Sequence, residues 1–299
     1  MYVFCLLLQA LCDTVIATTG PIPDPLILRL LAASMTHTRS SQVHMRVVAA
    51  LAHSVADMLN CSLILSSGGL YRIAAVMAAY PDVPDIQRTA LNVCAHMKIE
   101  HETDYRKVPD VGYGSIAQAA FNALASQGDV PIHCTALVAL SNIVTISSKW
   151  RDNVSALPGL LKCICSCMDT HTTSVEMQRS ACRLLVSVAP SPPAQAALST
   201  SAWLHRLQRA MACHCDSFEL QDHACTLLLA LPPLSDALAK IVLPDVIAAV
   251  QAHPQGRVQS VGYGFLVKYK HLRATFDECE GGAEVYSIIV CSVCHSVSM

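Results

Sequence analysis

An apolar position followed at once by a polar one recurs six times along this chain: Val43-His44, Ile86-Gln87, Ile132-His133, Met177-Gln178, Leu220-Gln221 and Val258-Gln259. Successive apolar anchors stand 43, 46, 45, 43 and 38 residues apart. Aligned on those anchors, the segments share a column four residues on: Val47, Ala90, Ala136, Ala181, Ala224 and Gly262. Eight residues on come Leu51, Cys94, Leu140, Leu185, Leu228 and Leu266, and eleven on come Ser54, Met97, Ile143, Val188, Leu231 and Tyr269. These offsets trace one side of a helix of about 3.6 residues per turn, so six helices are predicted, each with that side buried. The small residues at +4 predict a close approach by a neighbouring helix, which Leu at Ala136 or Ala181 would overpack. Repetition at this period marks a helical solenoid, in which each unit buries its apolar face only against a neighbour.

A second helical stretch precedes each of these helices, behind a turn: Ser67-Gly68-Gly69-Leu70, Gly112-Tyr113-Gly114-Ser115, Leu157-Pro158-Gly159-Leu160, Thr200-Ser201-Ala202-Trp203 and Leu243-Pro244-Asp245-Val246, with Glu280-Gly281-Gly282-Ala283 near the end. Gly69, Gly114 and Gly159 recur at 45-residue steps, and glycine permits the sharp bend. A shorter helix is predicted before each turn, around 57–65, 150–156, 193–198 and 235–242. Each unit is therefore a short helix, a turn and two longer antiparallel helices.

That unit, with glycine after its first helix and Gln-x-x-Ala opening its third, resembles the armadillo repeat. Residues 66–97 and 156–189 carry the best matches, and Ala139-Leu140-Ser141-Asn142-Ile143 is similar to the end of an armadillo third helix. The related HEAT repeat is the structural alternative, and the glycine turns favour armadillo. The resemblance implies an all-α, right-handed α-solenoid of about six three-helix repeats in a single domain over 1–299. A partial repeat at 1–40 leads into repeats at about 41–54, 55–98, 99–145, 146–189, 190–232 and 233–270, and a partial repeat at 271–299 follows. The chain begins inside a third helix and ends inside a second, neither end polar, so it is expected to be part of a longer protein or to meet something at both ends.

Composition sharpens this picture. Hydrophobic residues are 53% of the chain and aromatics only 5%, so the core is expected to be Ala, Leu, Val, Ile and Cys, which suits close helix packing. Net charge is −2, too little positive field to make nucleic acid the expected partner. The 15 cysteines fall mostly inside helical patterns, as at Cys94, Cys134, Cys182 and Cys225, and are expected to be small buried hydrophobes in a reducing, cytoplasmic compartment. The apolar start, Met1–Leu11, has no basic leader and is broken by Asp13, so it is expected to be a repeat helix and no signal peptide. The apolar tail, Val285–Met299, falls short of the roughly 18–20 residues of a membrane span.

By resemblance, the third helices line a concave groove. Their open side carries Arg46, Thr89, Thr135, Ser180, His223 and Val261 at +3. At +6 stand Ala49, Asn92, Val138, Arg183, Thr226 and Gly264, and at +10 His53, His96, Asn142, Ser187, Ala230 and Lys268. Such a row of donors can hold an extended peptide through its backbone. The candidate contacts are Arg46, His53, Asn92, His96, Asn142, Arg183, Ser187 and Lys268. Replacing His96 or Asn142 by Ala is expected to weaken partner binding and leave melting nearly unchanged. Importin-alpha-like armadillo proteins hold basic peptides on a Trp-x-x-x-Asn ladder. Here only Asn142 matches, with Val138 in the Trp position and Trp150 and Trp203 outside the column, so import-signal binding is not implied.

Other strings point to no chemistry. Alternate residues of a helix diverge, so Cys163, Cys165 and Cys167 cannot converge on one metal. Cys213-His214-Cys215 has no second half-site, and Cys291-x-x-Cys294-His295 matches the haem-attachment string only in form, with zinc there the alternative to core packing. Gly112-Tyr113-Gly114 and Gly262-Tyr263-Gly264 lack the third glycine of a dinucleotide fingerprint. The expectation is a non-catalytic interaction scaffold, without cofactor or metal, that binds a protein or extended peptide. The alternatives are the regulatory armadillo region of a larger enzyme, such as a kinase, and a metal- or redox-responsive Cys-rich helical protein.

Overall fold

The computed structural model describes residues 2–17, 24–36, 40–96, 110–126 and 129–296. These form helices and no strand. The chain divides into two units, Met1–Leu160 and Leu161–Met299.

The first unit holds α1 (Tyr2–Ala17), α2 (Asp24–Thr36), α3 (Ser41–Ser54), α4 (Met58–Ser66), α5 (Gly69–Ala79), α6 (Pro84–His96), α7 (Asp110–Ala125), α8 (Val130–Ile146) and α9 (Ser148–Ser155). The repeated helices stack in one layer, α1 on α3, α3 on α6 and α6 on α8. A second layer is built by α2, α5 and α7, with α2 on α5 and α5 on α7. Helix α1 thus packs as a member of the repeated-helix layer, the place expected for it.

The second unit holds α10 (Leu160–Thr170, its first residue shared with the unit before), α11 (Val175–Val188), α12 (Pro192–Leu198), α13 (Ser201–Cys213), α14 (Phe218–Ala230), α15 (Asp236–Ala252), α16 (Arg257–Lys268), α17 (Arg273–Asp277) and α18 (Gly282–Ser296). Here α11 packs on α14 and α14 on α16, while α13 packs on α15.

The buried stripe lies where the offsets put it. Ile86, Met177, Leu220 and Val258 at the anchor are fully buried, as are Val47, Ala90, Ala136, Ala181 and Ala224 at +4. At +8, Leu140, Leu185 and Leu266 are likewise sealed. Met97, assigned to the +11 column, lies outside the described residues. Gly262 shows why +4 stays small: a Cβ there would stand 2.4 Å from Val250 Cγ2 on α15.

Local chemistry starts the repeated helices at a fixed place. Three residues before the anchor, Ser40, Asp129 and Ser174 accept from the amides of Val43, Ile132 and Met177 at 3.4, 3.0 and 3.3 Å. Each side chain satisfies an N–H that the first helical turn leaves without a partner.

The turns differ from expectation in two places. No turn interrupts 112–115, because α7 runs through Gly112 and Gly114. None interrupts 243–246 either: α15 continues through Pro244. Val242, Leu243, Val246 and Ile247 are all buried, and that burial on both sides of the proline outweighs the one backbone hydrogen bond it removes. Gly159 (φ +85°) takes the left-handed conformation just before α10, where the 45-residue step puts it, but the Gly-Gly turns place it on the first glycine of the pair. Gly68 (φ +74°) and Gly281 (φ +65°) take the left-handed conformation just before α5 and α18. Gly69 and Gly282 follow for a different reason, since a Cβ would meet the carbonyl oxygens of Ile64 and Phe276 at 2.6 and 2.0 Å.

Candidate functional site

At Gln87, Gln178 and Gln221 the polar residue after the anchor is structural. Gln87 is buried at the start of α6, and its Nε2 donates to Met77 O at 2.9 Å and Tyr80 O at 2.8 Å. Gln178 does the same to Met168 O and His171 O, at 2.9 and 3.0 Å. Gln221 reaches Met211 O and His214 O, also at 2.9 and 3.0 Å. In each repeat one buried amide bridges a carbonyl of the preceding helix's last turn and a carbonyl of the turn that follows, the latter also accepting a backbone N–H, from Val83, Ser174 and Ser217 in turn. At the same position His133 sets Nε2 3.2 Å from Ser126 O. The sequence signal was the strict apolar-polar pair itself, since a polar residue beside a core anchor needs a partner.

The open side of the repeated helices keeps its polar row. Among the +3, +6 and +10 positions only Ser180 is buried; His53, His96, Arg183, Ala230 and Lys268 are exposed, and the others half-buried. The eight candidate residues are partly engaged by the protein itself. Arg46 reaches Asp13 on α1 at 3.1 Å. His96 sets Nδ1 2.8 Å from the carbonyl of Asn92, one turn back. Ser187 donates to Arg183 O at 3.1 Å. His53 stands exposed at the end of α3.

Two members of the +10 column share one task. Asn142 Nδ2 on α8 donates to Ala95 O at the end of α6 at 2.7 Å. Lys268 Nζ on α16 donates to Leu229 O at the end of α14 at 2.8 Å. Both close a C-terminal carbonyl of the previous repeated helix. This corrects the expectation that Asn142 is dispensable for folding. Asn142→Ala should lower unfolding free energy by about 1 kcal/mol, because a half-buried carbonyl loses its donor. Denaturant unfolding of that variant beside His96→Ala, which should match the parent, checks this.

Charge pairs also tie neighbouring repeated helices. Arg88 meets Asp129 at 3.5 Å, Arg179 pairs with Glu219, and Arg257 Nε stands 3.4 Å from Asp222 Oδ1. Most are half-exposed, and such pairs contribute at most about 1 kcal/mol each. Asp222 differs: it is buried, and Oδ1 accepts no hydrogen bond. Beside it stands His223, 4.0 Å from Asp222 Oδ2. Burial pushes the His223 pKa down; Asp222 pulls it up, Arg183 and Arg257 push it down, and Glu219 pulls it up.

The four cysteines singled out from the sequence pack as hydrophobes, whereas Cys213 and Cys215 are exposed. Cys94, Cys134, Cys182 and Cys225 are buried. Burial pushes the thiols of Cys182 and Cys225 up to about 12, so both stay protonated at neutral pH. Among the described residues no group of three or more His, Cys, Asp and Glu side chains is placed to hold a metal ion. The side chains of Cys291, Cys294 and His295 lie outside the described residues. A cleft of about 590 Å³ that the sequence did not announce lies between α5 and α7, lined by Tyr71, Ala74, Ala78, Gln118 and Asn122 among others. Also among the described residues, no single helix is long and apolar enough to cross a membrane.

No protein-family model matches this chain, and no curated protein matches it. Solved structures do. Computationally designed armadillo repeat proteins for modular peptide recognition are similar over 75% of this chain and 92% of theirs, with a TM-score of 0.59 and 16% identity. An engineered protein solved by the Northeast Structural Genomics Consortium is similar over 92% of this chain and 67% of its own, with a TM-score of 0.69 and 18% identity. Another covers 81% and 97%, with a TM-score of 0.62 and 18% identity. The fold is an all-α solenoid of armadillo-like helical repeats.

Proposed function

We propose that the chain is a non-catalytic scaffold that binds a protein partner, as an extended segment, across the open faces of its repeated helices. The observation that carries this reading is the row of polar side chains at +10, held in place by the protein's own backbone and still open to solvent. His96 and Asn142 in the first unit, and Ser187 and Lys268 in the second, are each bonded to a backbone carbonyl and at least partly open on helices whose opposite side is sealed. Donors fixed in this way lose little entropy when a peptide backbone meets them. The designed armadillo proteins for modular peptide recognition share the fold, which supports the reading. The buried free thiols fit a reducing interior, and we place the protein in the cytoplasm on that ground.

Two double variants test it: His53→Ala with His96→Ala, and Arg183→Ala with Ser187→Ala. Gln118→Ala with Asn122→Ala, on the other helix layer, is the control. Partners captured from the native cell should bind both open-face variants at least about tenfold more weakly, and the control normally. Partners that ignore the open-face variants, or are lost only with the control, would overturn the assignment.

A further inference from the structure

The second unit's open face is more basic than the first unit's. In the first unit the +3, +6 and +10 positions hold one permanent cation, Arg46, and it is spent on Asp13. In the second unit the same positions hold two, Arg183 on α11 and Lys268 on α16, and Arg257, one residue before the α16 anchor, joins Arg183 around His223 of α14. Of the two acids there, one is withdrawn. Asp222 is buried beneath Arg257, whose side chain remains 60% exposed. Glu219 stays 61% exposed and is paired with Arg179. What a ligand meets is therefore the guanidinium groups of Arg183 and Arg257 beside one paired carboxylate, with Asp222 underneath. Arg257 sets Nε 3.4 Å from Asp222 and one terminal nitrogen 3.5 Å from Thr226 Oγ1, which leaves its other terminal nitrogen to meet a carboxylate.

We infer that the repeated-helix face of the second unit takes an acidic extended peptide, its carboxylate side chains set against Arg183 and Arg257. This rests on the scaffold reading above and names the chemistry of its partner. Single-stranded nucleic acid would also bring negative charge, but a face with so few cations neutralises few phosphates, and the chain as a whole carries −2. The inference has a pH signature. The groups around His223 are Asp222 and Glu219 on α14, Arg183 on α11 and Arg257 on α16. A peptide carboxylate added to that set favours the imidazolium, so binding takes up a proton. Affinity should then rise as pH falls from about 7.5 to about 6.

The test is selection of a random synthetic peptide library on the full chain, repeated on Arg183→Gln with Arg257→Gln, and on His53→Ala with His96→Ala. Acid-rich peptides should be enriched. A selected peptide should bind the Arg183/Arg257 variant about tenfold more weakly, lose affinity in high salt and tighten at lower pH. His223 should titrate at higher pH in the complex by NMR. Enrichment of neutral or basic peptides that still depend on the open-face residues would overturn the acidic preference and leave the scaffold reading standing. Acidic peptides that bind the Arg183/Arg257 variant as well as the parent would overturn the site. Equal binding of oligouridylate and the acidic peptide would overturn the choice of partner, and no enrichment at all would overturn both readings. Circular dichroism of the Arg183/Arg257 variant separates lost binding from lost fold.

Discussion

Gln178→Leu should destabilise the protein by about 1–3 kcal/mol, because the buried Met168 carbonyl loses its donor and the His171 carbonyl keeps only the Ser174 amide. Gln178 is 2% exposed, and its amide nitrogen serves both Met168 O and His171 O. Leucine has a similar volume, so no cavity opens and the cost is electrostatic: the Met168 oxygen, stripped of water, gains nothing in return. Gln178→Glu separates the explanations, since a carboxylate keeps the shape but sets an acceptor against two acceptors, and should do worse than Leu. Denaturant midpoints for the two variants decide it. Unfolding of Gln178→Leu at the parent's midpoint would mean that the paired bonds hold nothing together. The same substitution at Gln221 should behave alike, as its partners are Met211 O and His214 O in the same geometry.

Ala136→Leu and Ala181→Leu should each cost about 1–3 kcal/mol, from overpacking and not from lost contacts. Both alanines are fully sealed at the column where helices approach most closely. Gly262, in the same column, shows how little room exists, with the space a methyl would need already taken by Val250. Ala136→Gly should cost less, about 1 kcal/mol, from helix propensity and the lost methyl. Thermal melts of the Leu and Gly variants side by side distinguish overpacking from a general intolerance. A Leu variant that melts with the parent would show the column to be loosely filled.

The sequence made the buried stripe legible because a stripe is a property of one helix. The anchor, +4, +8 and +11 positions share a side by the pitch alone, and the burial of Ala90, Ala181 and Leu185 follows from it. It also made the short helix before α5 legible, since Asp57 caps α4 by accepting from Leu59 N and Asn60 N. The turns were less legible. Glycine and proline mark places where a helix can stop, but Gly114 and Pro244 lie inside α7 and α15, where packing carries the helix through. The candidate site was legible as a row of residues and not as a set of partners. Nothing in a periodicity tells Asn142, which closes the end of α6, from His96, which bonds to its own helix.

By itself, then, the sequence determined an all-helical chain, repeating at forty-odd residues, with small residues where helices touch and a polar row opposite. Only the tertiary structure decided what those polar residues do. The donors of Asn142 and Lys268 find their carbonyls 47 and 39 residues away in the chain, on the preceding repeated helix. Arg183, His223 and Arg257 become neighbours only because α11, α14 and α16 stack. Helical pitch is local and is written in spacing. Hydrogen-bond satisfaction and charge proximity depend on which surfaces meet, and packing alone sets that.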